Sequence, residues 1–522
     1  MTNTTNTEPN HSDAAAVGQT TAAPKAPRVP MPVKRSREEK EQASREELQR
    51  QEEFLAKSKI YTSQLAGILG RTPTFHVHNF GCQMNARDAE KLAGILRASG
   101  YEEIEEESAD FVIYNTCTVR DNADQHFFGR LGRAAHYKKS NSYMKIAVCG
   151  CMTQEDSAVQ KIRKSYPYVD LIFGTHNLFC FPQYLCEVYE AKNGSFDPKG
   201  HKVTNLWQAT DEIVEDLPVE RKYSYKSGIN IMFGCDNYCT YCIVPYVRGH
   251  ERSREPKDIL LECERLVADG VVEVMLLGQN VNSYGRDLEQ PCSFAELLAA
   301  VAEIKGLKRV RFMTPHPKDM GADVLEVVRD HPNIARHIHF PLQSGSNEIL
   351  RRMNRRYTRE QFMERAAMIR EMIPDAAITT DIIAGFPGET ESDVNDTIDV
   401  VETVQFDNAY TFIYSPRTGT PAAAMEQVPK EEVQKGFDRI LASVQENARK
   451  RAGLLQGRTM VALAEEMNSQ DPEYVTCRLS NNIIVHVKGD ASMIGHFYDV
   501  TLDECRGFYY FGTVLQENLL GY

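Results

Sequence analysis

The chain has 522 residues, 42% apolar and 25% charged, the balance of a soluble globular protein long enough for three or four domains. Its net charge of −13 excludes a protein that coats nucleic acid by bulk attraction, though not one with a local basic groove. No stretch approaches the roughly 18 apolar residues of a membrane span, and Glu8 and Asp13 sit where a secretory signal would carry basic residues. Thirteen cysteines without an export signal point to a reducing, cytoplasmic setting, where clustered thiols are metal ligands or catalytic groups before they are disulfides.

Residues 1–33 are rich in Thr, Ala, Asn and Pro and cannot bury a core; 34–58 alternate acidic and basic residues at helical spacings. Residues 1–70 are therefore expected to be a low-complexity, charged arm ending in a solvated helix or a partly ordered segment. Over 73–191 the pattern alternates: strands at 75–80, 110–116, 144–150 and 168–174, each followed by a helical stretch. That spacing predicts a doubly wound parallel sheet. Over 221–453 strands are expected at 227–233, 272–277, 308–313, 337–342, 376–383 and 408–414, with amphipathic helices between them. Six such units are too few for a full eight-stranded barrel and fit a partial, open (β/α)6 barrel. Residues 456–519 read as five short strands with polar turns, a small all-β barrel.

Cys82, Cys117 and Cys151 each follow a strand of the first series. In a parallel sheet those strand ends lie on one edge, beside helix N-termini that favour thiolate over thiol. Three convergent thiolates suit an iron–sulfur cluster with one iron lacking a protein ligand. Cys149 competes with Cys151 in Cys149-Gly150-Cys151, but it falls inside the strand and is expected to pack against a helix. A second trio, Cys235, Cys239 and Cys242, has the spacing CxxxCxxC directly after the first barrel strand. Three thiolates in eight residues can wrap one 4Fe–4S cluster and leave one iron open; a zinc site would need a fourth ligand or a second knuckle, and none lies nearby. Cys180, Cys186, Cys263, Cys292, Cys477 and Cys505 have no convergent partners in the pattern and read as core or surface thiols.

The triplet, with Tyr241 before its last cysteine, resembles the defining motif of the radical S-adenosylmethionine superfamily. NFGCQMNARDAEKL, YNTCTVRDNA and CGCMTQ resemble the three cysteine motifs of the methylthiotransferase family, and RGHERSREP, LLGQNVNSYG, FMTPHPKDM, FPLQSGS, MNRRYTRE, TTDIIAGFPGET and FIYSPRTGTPAA continue the match. The terminal segment resembles a TRAM domain. GCQMN, VRDNADQHFFGRLG and HPKDM most resemble the branch that modifies N6-isopentenyladenosine in tRNA. The resemblance implies two 4Fe–4S clusters and S-adenosylmethionine in two roles, radical source and methyl donor. It implies methylthiolation of carbon 2 of an isopentenylated adenine next to the anticodon of tRNA. An electron donor such as flavodoxin or ferredoxin and a sulfur source would be further partners. It also implies S-adenosylmethionine contacts from Gly278, Gln279 and Asn280, Gln343 and Ser344, Ile383, and Tyr241. Gly388 departs from the pattern, standing where that loop usually has an acidic residue. Two other readings use the same residues: methylthiolation of a protein side chain, or a non-catalytic iron–sulfur protein that binds RNA.

Basic residues cluster locally: Arg351, Arg352, Arg355 and Arg356 on one expected helical surface, Arg248, Arg252 and Arg254 after the triplet, and Arg130 with Arg133. Such clusters can hold phosphates. Residues 456–522 carry four Lys and Arg against nine Asp and Glu, so that barrel would meet RNA by shape and selected contacts, not bulk charge. His316 and His339 are expected to be structural.

Overall fold

The computed structural model describes residues 29–31, 35–118 and 121–522; most of the Thr- and Pro-rich segment 1–33 thus lies outside the described residues. The charged arm is not a solvated appendage. A capping box between Ser36 and Glu39 opens α1 (Arg37–Leu69), and Gly70, in the left-handed conformation, closes it. The charges mask an apolar stripe at four- and seven-residue spacings: Leu48 and Leu55, Phe54 and Tyr61, and Leu65.

The chain then builds a six-stranded parallel sheet from β1 (Thr74–Asn79), α2 (Gln83–Ala98), β2 (Glu102–Glu103), β3 (Phe111–Thr116), α3 (Asp121–Ser140), β4 (Lys145–Gly150), α4 (Asp156–Ser165), β5 (Leu171–Phe173), α5 (Phe181–Glu187) and β6 (Val203–Asn205). The strand order is β2-β1-β3-β4-β5-β6. The central strands are buried on both faces, as doubly covered parallel strands must be. One face packs Phe75, Phe111, Ile113 and Cys149 against α1, α2 and α5; the other packs Val112, Tyr114, Ile146 and Val148 against α3 and α4. The short β6 escaped the sequence reading, which ended this unit at 191: three residues carry too little periodicity to register.

The next segment contains β7 (Lys226–Asn230), β8 (Met232–Phe233), α6 (Val244–Arg248), β9 (Arg252–Ser253), α7 (Pro256–Ala268), β10 (Glu273–Leu277), α8 (Phe294–Ala302), β11 (Arg309–Phe312), α9 (Ala322–Asp330), β12 (His337–His339), α10 (Asn347–Arg352), α11 (Arg359–Met372), β13 (Ala377–Ala384), α12 (Glu391–Val404), β14 (Asn408–Ile413) and α13 (Lys430–Gly453). Two three-stranded parallel sheets result, β11-β10-β7 and β12-β13-β14, joined by a single bridge between Val310 and Ile334. This is the open six-stranded barrel that the alternation predicts. The expected first strand 227–233 is broken, because Met232–Phe233 leaves the barrel to pair with Arg252–Ser253. Outward-facing Ile229, Val274, Leu276, Val310, Ile338, Ile378 and Ile382 form one core with the helices.

The chain ends in a closed barrel of β15 (Thr459–Met467), β16 (Tyr474–Leu479), β17 (Ile484–Lys488), β18 (Phe497–Cys505) and β19 (Tyr509–Glu517), in the order β15-β16-β17-β19-β18. It caps the N-terminal ends of the first strands of the open barrel. Arg311 donates to the carbonyls of Leu479 (2.8 Å) and Ser480 (3.2 Å) and pairs with Glu273 (2.9 Å), while the Tyr225 hydroxyl donates to Glu465 O (2.5 Å). Buried charge is tolerable there because every partner is in place.

Candidate functional site

Three strand ends of the first sheet carry Cys82, Cys117 and Cys151. Cys82 caps α2 after β1, Cys117 follows β3, and Cys151 follows β4. Gly150 makes the last approach possible: its φ is +99°, and a Cβ there would lie 2.3 Å from Thr116 O. The fully buried Asn85 ties the edge together. Its amide donates to Thr116 O (2.6 Å), and its Oδ1 lies 3.5 Å from Cys82 Sγ and 3.9 Å from Cys151 Sγ. The Cys151 thiol lies within electrostatic reach of both Cys117 and Cys82. Cys149 points the opposite way, into the helix-covered core, with its sulfur 3.8 Å from Asn115 Oδ1.

The triplet sits in a loop folded back on itself, with Cys235 N donating to Gly249 O (3.1 Å) and Cys242 N to Cys239 O (2.9 Å). Its backbone is clamped from α10 and beyond: Thr240 Oγ1 donates to Arg352 O (2.8 Å) and Asn354 Nδ2 to Tyr238 O (3.0 Å). Asn237 Nδ2 donates to Cys235 Sγ (3.4 Å) and Arg355 Nη1 to Cys239 Sγ (3.5 Å). Tyr241 packs edge-on to Phe386 at 6.4 Å.

The two trios, far apart in the chain, are bridged in space by one short helix. After Cys242 the path runs through Ile243, the N-cap residue, into α6, and Ile243 and Val247 pack against Cys151. At its end the buried Arg248 donates to Asp88 Oδ2 (2.8 Å) and Asn85 Oδ1 (3.0 Å) in α2. Beside Arg248 a cavity of about 60 Å3 is lined by His176, Arg252 and Phe233, and among the described residues neither ring nitrogen of buried His176 has a hydrogen-bond partner.

Each trio thus has a buried guanidinium next to its sulfurs. Arg248 is paired with Asp88, but among the described residues the hydrogen-bond partners of Arg355 are Cys239 Sγ, Tyr357 Oη (3.2 Å) and Pro341 O (3.0 Å), and none of them is a carboxylate. A buried cation without a counter-anion is costly, and negatively charged sulfurs beside Arg355 would relieve that cost. No three His, Cys, Asp or Glu side chains among the described residues are arranged around a single metal ion. That is compatible with a cluster, whose cysteines bind different irons, rather than one ion with every sulfur about 2.3 Å away. The expectation that helix N-termini hold the strand-end thiols ionised fails at Cys151, where burial pushes the thiol up to about 12. In the triplet, burial likewise pushes Cys235 up to about 12, so in the metal-free protein these two keep their protons. Iron would have to displace them.

Residues expected near S-adenosylmethionine fall into two groups. Gln279 turns its amide toward Met84 of the first sheet unit and leaves a buried Oε1 with no partner, an acceptor suited to an ammonium group. Asn230, at the end of β7, likewise has a buried, unpartnered side-chain amide. Gly278 allows close packing, since a Cβ would stand 2.6 Å from Met232 Cγ. Gln343, with φ +69°, accepts from Ile383 N (2.9 Å) and so fastens the ends of β12 and β13 together. By contrast Asn280 is occupied by Asp319 Oδ2 (2.9 Å) and His316 N (3.2 Å), and the fully buried Ser344 hydroxyl by Thr397 Oγ1 (3.5 Å) and Ser346 N (3.2 Å).

The arginine strip expected over 351–356 does not form. The helix ends at Arg352, Arg351 and Arg352 both pair with Glu348, and Arg355 turns inward to the triplet. Arg130 pairs with Glu107 (2.6 Å). The sequence reading assigned no site role to Asn85, Asp88 or Asn230, and it read Arg355 as surface; Arg248's place after a one-turn helix from Cys242 was the available signal.

Comparison with known proteins agrees with this geometry. Residues 229–401 match the model of the radical SAM superfamily, and 74–174 match "Uncharacterized protein family UPF0004". The chain is a radical S-adenosylmethionine enzyme, and S-adenosylmethionine and iron–sulfur chemistry belong to that class. It is 52% identical over 464 residues to the tRNA-2-methylthio-N(6)-dimethylallyladenosine synthase of Lachnoclostridium phytofermentans, covering 89% of this chain and all of that one. Proteins of the same name from Clostridium botulinum and Acetivibrio thermocellus are 46% and 43% identical, over 85% and 91% of this chain and 96% and 97% of theirs. The chain belongs to the tRNA-2-methylthio-N(6)-dimethylallyladenosine synthase family.

Proposed function

We propose that this enzyme methylthiolates carbon 2 of N6-isopentenyladenosine next to the anticodon of tRNA, using two 4Fe–4S clusters. The observation that carries the reading is the juxtaposition of the two cysteine trios through α6, with Val247 against Cys151 only five residues beyond Cys242. Cys235, Cys239 and Cys242 would hold one cluster and Cys82, Cys117 and Cys151 the other, over a sheet unit of residues 73–191 and a radical core of 221–453, followed by the barrel of 456–519. When bound, the clusters and S-adenosylmethionine supply the one-electron chemistry that activates an unreactive C–H bond, together with the transferred methyl group.

The chain's own residues bind, orient and shield. Gln279 offers its open acceptor to the methionine amino group, while Asn280 and Ser344 hold their loops in shape through the bonds they already make. Gln343 and Ile383 set the wall between the fourth and fifth barrel strands. Arg355 and Arg248 balance the charge of the two thiolate sets. The floor is closed by Glu273, Arg311 and the carbonyls of the C-terminal barrel, which keeps water from a reactive intermediate. Single-stranded anticodon-loop bases can be splayed into such a pocket. A one-electron donor such as flavodoxin or ferredoxin and a sulfur source complete the reaction, and the cytoplasm is its place. Among the described residues no helix is long and apolar enough to cross a membrane.

An anaerobic assay on matched prenylated and unprenylated tRNA, alongside a ribosomal-protein substrate, tests the reading. Methylthiolated prenyl-adenosine is expected, with about eight irons per reconstituted chain. Product on the protein substrate and on neither tRNA would overturn the substrate; about four irons in folded enzyme would overturn the second cluster.

A further inference from the structure

The inner face of β14 is an exposed aromatic surface of the open barrel. β14 ends the sheet β12-β13-β14, so one of its sides has no strand beside it. Ala409 points outward into the core with Ile440 and Val444 of α13. Tyr410 and Phe412 therefore point inward, in register with Asp381 and Ile383 of β13. Yet they are 45% and 46% exposed, although they face the barrel interior and not the outer surface. Adjacent aromatics left open in this way mark a binding surface.

Their surroundings say what they would bind. A polar pair lies alongside: His339 Nε2 is 3.2 Å from Asp381 Oδ2, His339 Nδ1 is 3.0 Å from Thr379 Oγ1, and the Tyr410 ring is 6.1 Å from the His339 ring. Above Phe412 the column continues through Tyr414 to Phe386 (5.3 Å) and on to Tyr241 of the triplet loop (6.4 Å). The wall thus joins an aromatic platform to hydrogen-bonding groups and leads up to the reacting end of the barrel. A planar heterocycle stacks on such a platform while its nitrogens meet the polar pair. An apolar substituent on the ring gains from covering Phe412.

We infer that the inner face of β14, with Tyr410 and Phe412 as platform and His339–Asp381 as polar edge, receives a purine bearing an apolar substituent. Phe412 is its specificity-determining residue. The inference rests on the proposed tRNA substrate and adds which side chains read its prenyl group.

The test compares kcat/KM on prenylated and unprenylated tRNA for the wild type, Phe412→Ala, Phe412→Leu and Ile413→Ala, each checked for iron content. Removing an apolar contact to a substituent of this size reduces discrimination by about tenfold or more. Phe412→Ala should therefore shrink the preference for prenylated tRNA by about that factor, and Phe412→Leu, which stays apolar, should keep most of it. Ile413→Ala, on the outer face of the same strand, should leave the ratio unchanged. A Phe412→Ala enzyme with full iron and the wild-type preference would overturn the shelf. So would a variant whose only change is a raised KM for S-adenosylmethionine, which would give this wall to the cofactor. If the wild type modifies neither tRNA, the substrate reading itself falls, an outcome distinct from both.

Discussion

At the scale of single residues, the two trios are chemically unequal although both are cysteine sets. The triplet is clamped by backbone bonds and faces Arg355; the strand-end trio depends on a sheet edge, Asn85 and Arg248. Cys239→Ala should abolish 5′-deoxyadenosine formation, whereas Cys117→Ala should spare some cleavage of S-adenosylmethionine yet abolish methylthio transfer. Chromatography of both products decides it; full methylthiolation by both variants would refute the assignment of roles. Glu389 offers a pH signature. Burial raises its carboxyl from 4.5 to about 7, although Gly385 N donates to it at 2.5 Å. A group whose folded pKa is raised keeps its proton in the folded state after the unfolded chain has released it. Its contribution is therefore intact below about pH 4.5 and is lost as pH rises to about 7, by about 3 kcal/mol at most. Urea titrations across that window should show stability falling with pH, and Glu389→Gln should flatten that part of the slope.

At the scale of elements, α1 is the clearest departure from its charge pattern. Its inner stripe lies on the sheet unit while its N-terminal end reaches the radical core, through Arg37 with Glu255 (3.2 Å) and Lys257 with Glu41 (2.9 Å). Those pairs lie near the surface, where water and salt screen them, and contribute little. The packing contributes more: Leu65 is fully buried, and Leu65→Ala should cost about 2–5 kcal/mol in chemical denaturation. A loss below about 0.5 kcal/mol, the range of an ordinary surface substitution, would mean that the helix lies loose in solution. The short α6 works differently. It buries Ile243 and Val247 between the trios, so the spacing of the two sites is set by one turn of backbone and not by a flexible linker.

At the scale of the whole molecule, the C-terminal barrel acts as a plug for the radical core. Arg309 and Arg311 enter from the core side and find Glu273 and backbone carbonyls of the barrel. Removing one partner of a buried charge network costs about 3–5 kcal/mol because the other charge is left uncompensated. Arg311→Met should lower the unfolding midpoint accordingly and separate a barrel transition from the core transition in calorimetry; unchanged, concerted unfolding would count against the plug. The net charge of −13 opposes polyanion binding, and of the expected arginine strip Arg351 and Arg352 pair with Glu348 and Arg355 turns inward, which leaves Arg356 exposed. Binding of tRNA should still weaken with salt, but with a shallow slope, since few phosphates are contacted by unpaired cations. Filter binding from low to physiological salt measures that slope, and a steep one would point to a basic surface outside these clusters.

The sequence by itself determined the order of the layers. Strand–helix alternation, the six barrel units and the five terminal strands were legible because buried parallel strands and amphipathic helices each impose a period on their own residues. It also singled out both cysteine trios and separated Cys151 from Cys149, since position relative to a strand end is a local property. Three things were decided only in three dimensions. α1 is a packed element because its partner stripe lies on α5, far along the chain. Arg355 left its neighbours for the triplet because the helix stops at Arg352 and the chain turns inward there. The aromatic wall of β14 emerged because facing and exposure depend on which strand lies alongside, and β14 has none on one side. Periodicity reports what one element needs; which element meets that need, and which surface is left uncovered, is settled by tertiary packing.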